Sequence, residues 1–198
     1  MKNVLLLALA LFAATAFAQS PPPSLRLRGT IEKIDPTSMV IKERNGETMT
    51  LALADHLAVN EVLPLDPAAI QSGKFVGTAA MPAADGTLAA LEVLVFPEAA
   101  RGTGEGHSPW DLQPGSTMTN ATVTAVTPVA KGRSMTLRYK DGEKTIFVPE
   151  GIPVVTLQPG DRSLLVPGAR VLVTAQNRDG KPTALRITAG RNGFAPPM

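Results

Sequence analysis

The sequence predicts an all-β fold in which one small barrel module occurs twice in tandem, the copies joined by a structured linker rich in Gly and Pro. Three observations carry that expectation. A series of short motifs in the first half recurs in the same order in the second. Apolar residues alternate with polar ones in short runs. Finally, 17 Gly and 18 Pro interrupt the chain every few positions, which is poor ground for long helices.

Taken in order, the chain opens with MKNVLLLALALFAATAFAQS. A basic Lys2, an apolar run from Val4 to Phe17 and the small-x-small triplet Ala16-Phe17-Ala18 are the layout of a secretory signal peptide, residues 1–18, cleaved after Ala18. The run is shorter than the roughly 20 residues a spanning helix needs. The mature chain is expected to be periplasmic or secreted and not membrane-spanning, beginning with a Pro-rich spacer, 19–24. With no cysteine there is no disulfide framework, thiolate metal site or Cys nucleophile. The net charge of +2 is too small to imply a polyanionic partner.

The first module, 25–97, and the second, 118–191, align by motif. Gly29 to Ile34 matches Ala121 to Val126, and Ser38 to Lys42 matches Ser134 to Arg138. Asn45-Gly46-Glu47 matches Asp141-Gly142-Glu143, and Asp85 to Leu91 matches Asp179 to Leu185. Asn-Gly and Asp-Gly between alternating runs predict hairpins with two-residue type I′ turns. Alternation puts Met49, Leu51 and Leu53 on one face, with Ile146 and Val148, then Val171, Val173 and Ala175, repeating the pattern. One helical turn is expected in each copy, after Asp66 and after Asp161. Three strands, a short turn and two strands is the order of a five-stranded OB-like barrel. The tail, 192–198, is read as a loose spacer.

The order Gly-x-Ile/Val, strand, Asn/Asp-Gly, strand, short turn, Gly-x-x-Val, Asp-Gly, Ala-x-x-Val resembles the bacterial DUF5666 domain family. The whole layout is similar to exported proteins with two such units, some labelled "metal ABC transporter permease". The resemblance implies a β-barrel-like fold and transfers no catalytic motif. A permease role by this chain alone is inconsistent with its lack of a spanning segment after the signal.

The linker, 98–117, holds the only Trp and one of two His. Arg101-Gly-Thr-Gly-Glu-Gly106 has the glycines of a phosphate loop, but Pro109 prevents the helix that would present its amides. Glu105, His107 and Asp111 are the candidate ligands for a divalent metal, though a site normally wants more imidazole than two isolated His provide, the other being His56. Ser108 beside His107 makes no nucleophile–base pair by adjacency. Aromatics at 4% are too few for a nucleic-acid stacking surface. Trp110 fits either a plug, sharing its contact with Leu112 while Asp111 caps the Pro114-Gly115 turn, or a recognition anchor. The expectation is a non-enzymatic binding or scaffold protein with no resident cofactor and no nucleic-acid partner. It would take a protein or small molecule at the linker and inter-module cleft through Arg101, Glu105, His107, Trp110 and Asp111. The alternative is a metal-handling accessory protein using His107, Glu105 and Asp111.

Overall fold

The computed structural model describes residues 23–83 and 87–197. The expected signal segment, its cleavage point and Asp85 lie outside them. Thirteen strands follow one another: β1 (Ser24–Ile34), β2 (Ser38–Glu43), β3 (Thr48–Pro64), β4 (Phe75–Pro82), β5 (Leu88–Ala90), β6 (Val93–Val95) and β7 (Gly106–Pro109). Then come β8 (Thr117–Val129), β9 (Gly132–Tyr139), β10 (Gly142–Pro149), β11 (Val154–Pro159), β12 (Arg170–Arg178) and β13 (Lys181–Ala189). Short 3-10 turns at Pro67–Ala69, Glu98–Ala100 and Arg162–Leu164 are the only helical pieces among the described residues. The fold is all-β, as expected.

Alternation places the residues that the sequence assigned inward. Leu51, Leu53, Ile146, Val148, Val171, Val173 and Ala175 are all buried, and Met49 packs against the same cluster as Leu51. Both expected turns form with an aspartate cap. The Asp66 carboxylate accepts from the Ala68 N–H and that of Asp161 from the Ser163 N–H, each at 2.7 Å.

The hairpin turns differ from expectation. Among the expected turns that lie within the described residues, only Asp179-Gly180 has positive φ at both central residues, 51° and 76°, as a type I′ turn requires. At Asn45-Gly46 only Gly46 is positive, at 89°, because the turn takes three residues. Asn45 instead uses its amide locally, accepting from the Glu47 N–H and donating to the Glu47 carboxylate. Asp141-Gly142 has positive φ at neither residue.

Strand pairing departs from contiguous modules. β1, β2, β3, β13 and β12 close a five-stranded barrel, with β3 and β13 parallel and the other neighbours antiparallel. A second closed circuit of pairing runs through β4, β5, β10, β9 and β8, again with one parallel pair, β5 with β10. Each ring takes three strands from one half of the chain and two from the other, so the boundaries at 97 and 118 divide neither ring from its neighbour. The turns follow the same exchange. Leu164 and Leu165 enter the first ring's core, and Ile70 enters the second's.

The crossing-over is seated on one antiparallel pair, β3 with β11, in which Val62 faces Leu157. Around it lies a third apolar cluster, Val62, Ala79, Leu94, Met118 and Val155, drawn from strands of both circuits. Each of the larger side chains among them contributes about 1.5–3 kcal/mol relative to exposure, so the junction is a core in its own right.

Candidate functional site

The linker leaves β6, makes the turn at Glu98–Ala100, and returns as β7 along β8. Its sequence-predicted residues are fastened at several separate places. Arg101 pairs with Glu98 through both Nε and Nη2 and donates from Nη2 to the Gly73 carbonyl at 2.9 Å. Glu105 accepts from the Lys140 backbone N–H at 3.2 Å. His107 stands opposite Thr119 in the β7–β8 pair, its Nδ1 2.8 Å from the buried Thr119 hydroxyl. Burial, then the charge of Lys144, holds the imidazole below its ordinary pKa.

Asp111 is drawn away from these residues to β1. Its carboxylate accepts from Arg28 at 2.8 Å and Arg26 at 3.0 Å. Burial alone would push Asp111 up, but the hydrogen bonds and charges of Arg28 and Arg26 more than reverse this and hold it below its ordinary value. Glu105, His107 and Asp111 are therefore not brought together. Among the described residues no group of three or more His, Asp and Glu side chains is placed to hold a metal ion. Nor does Asp111 cap the Pro114-Gly115 turn. Ser116 does, accepting from the Gln113 N–H and donating within reach of the Trp110 and Gln113 carbonyls.

Trp110 joins the two circuits. Its ring packs with Leu112 against the junction cluster, as the plug reading required, and the Arg26 guanidinium lies 4.1 Å from the ring centroid. Beside it is a groove of about 160 Å³ with an apolar floor of Leu94, Phe96, Met118, Leu157 and Leu172. Arg26, Arg186, Asn60 and Asn120 supply polar groups to its lining. The Trp110 indole N–H is buried and has no acceptor among the described residues, a state that costs about 1–3 kcal/mol.

Arg26 and Arg28 were not singled out from the sequence. Their signal was there: in Leu25-Arg-Leu-Arg28 the strand period sets both guanidinia on one face. Glu92 was missed as well. It interrupts the run Ala89-Ala-Leu-Glu-Val-Leu-Val95 between β5 and β6, is 1% exposed, and caps the Ala79 N–H at 2.8 Å where the break leaves β4 without a ladder acceptor. Its second oxygen has no partner. Burial, opposed in part by the Ala79 hydrogen bond, raises its pKa to about 8.

No helix among the described residues is long and apolar enough to cross a membrane. Comparison with models of known families, with curated proteins and with solved structures finds no match to this chain.

Proposed function

We propose that this chain is an exported, non-enzymatic binding protein, built from two OB-like rings that exchange strands, whose ligand sits in the groove beside Trp110. The observation that carries the reading is the groove itself: an apolar floor shared by both circuits, with Trp110 and Arg26 at its side and an indole N–H lacking an acceptor. The strand order within each ring, with its one parallel closure, supports the OB-like assignment. An apolar floor with a few placed polar groups is the usual form of a small-molecule or peptide-side-chain site. The cations Arg26 and Arg186 favour a ligand with an apolar body and an acidic end. Arg101 and Glu105 fasten the linker, and nothing in the arrangement favours the metal reading.

Trp110 is the sole Trp, so its fluorescence reports the groove directly. Titration of the mature chain with acidic aromatic dipeptides should shift the emission saturably. Arg186→Ala should weaken the binding about tenfold without moving the melting temperature, since Arg186 is exposed. No spectral change with any dipeptide, together with a Trp110→Ala variant that differs only in stability, would reduce Trp110 to a fastening.

A further inference from the structure

A second depression, of about 410 Å³, opens on the first ring around Arg28 and Thr30. Strand register assembles it. On β1, Thr30 stands directly between Lys42 of β2 and Arg170 of β12. One step along the same face is Arg28, whose carbonyl accepts from the Arg44 N–H. Adjacent strands lie about 5 Å apart and alternate residues about 7 Å apart, so four cations surround one threonine hydroxyl. All four, Arg28, Lys42, Arg44 and Arg170, line the depression, and Glu43 is the one carboxylate among its lining residues.

Their charges are largely unanswered. Among the described residues Lys42, Arg44 and Arg170 form no ion pair, and Arg170 donates to the Gly193 carbonyl. Arg28 reaches Asp111 through Nη2, but its Nε is buried with no partner and its side chain is only 9% exposed. Arg44 is depressed by burial and then by the like charge of Arg28, as expected for cations held close without a neutralising anion.

The other circuit provides an internal comparison. There Thr122 stands between Arg138 and Phe75, in the place of Thr30 between Lys42 and Arg170. There the cation beside the threonine is exposed but paired. Arg138 pairs with Glu143, Glu105 takes the Lys140 N–H, and Asn120 ties down the linker carbonyls of Thr103 and Gly104. The cation beside the threonine is thus paired with a carboxylate on one ring, while on the other Lys42 and Arg170 have no such partner among the described residues.

We propose that the outer face of β2, β1 and β12 binds a phosphate or sulfate group, with Arg28, Lys42, Arg44 and Arg170 as its cations and Thr30 as a hydroxyl donor. A tetrahedral dianion supplies several acceptor oxygens to donors on three strands, which a single carboxylate cannot match. Arg28 lies at the border with the Trp110 site, 6.0 Å from the ring centroid, but Lys42, Arg44 and Arg170 do not line that groove, so variants at these residues test the anion site separately.

The test is titration of the mature chain with inorganic pyrophosphate, sulfate, acetate and vesicles carrying phosphatidic acid, read by backbone amide shifts and melting temperature. Pyrophosphate or the vesicles should move amides at 28–30, 42–46 and 170–171 and raise the melting temperature, more weakly in high salt. Acetate should not. The double variant Lys42→Ala/Arg44→Ala should bind at least tenfold more weakly, while Arg138→Ala on the other circuit should bind as the parent does. A response to pyrophosphate identifies a free phosphate as sufficient; a response to vesicles alone identifies a headgroup. Silence from both, or a response that survives in the double variant, overturns the site.

Discussion

Glu92 is the residue whose chemistry is most at odds with its surroundings. Its folded pKa, about 8, lies above the ordinary 4.5, so the folded state prefers the protonated acid. The stability this contributes is complete below pH 4.5 and is lost as the pH rises toward 8, at up to about 1.4 kcal/mol per unit within that window. Glu92→Gln keeps an acceptor for the Ala79 N–H and cannot ionise. Urea unfolding should therefore give similar stabilities for the two proteins near pH 4.5, with the variant gaining steadily up to pH 8. Parallel pH profiles would mean that Glu92 is charged in the fold throughout. The residue was legible only as an anomaly, one acid in an apolar run. Its burial depends on the break between β5 and β6, which no local propensity announces.

At the scale of the element, the linker works as a strap fastened at both ends. β7 is paired along β8, and beyond it Asp111 anchors to the two arginines of β1. Removing that carboxylate leaves Arg28 charged and mostly buried, so Asp111→Ala should cost about 1–3 kcal/mol. Asp111→Glu should cost less. Both are measurable by urea unfolding at low salt, and no loss on Asp111→Ala would show that water replaces the carboxylate. Hairpins, caps and inward faces were legible because each is decided within a few residues: Asp66 and Asp161 cap their turns, and Leu51 faces in because Thr50 faces out. The partners of Asp111 were not. They lie 83 and 85 positions away, a distance over which spacing says nothing.

For the whole molecule, the exchange of strands was hidden for a related reason. β4 with β5 and β12 with β13 carry similar patterns, so each pair satisfies either ring locally. What separates the outcomes is β3 running on, through an irregularity between Leu53 and Ala58, to Pro64 and pairing with β11 instead of folding back. The consequence is measurable. A protease site placed within 102–104 and cut should leave the halves together, co-eluting at the size of the intact chain until denaturant is added. Two side-by-side barrels would part on cutting. Unfolding should likewise be one cooperative transition, because neither ring is complete without the other half.

Chain order gives the two rings different histories. The second circuit is drawn entirely from β4 to β10, one uninterrupted stretch that ends at Pro149. The first joins β1 to strands that end at Ala189. Closing a longer loop costs more entropy and slows folding. β1 must therefore wait for the last strand to arrive, and it spends that interval as an open edge with no neighbour on one side.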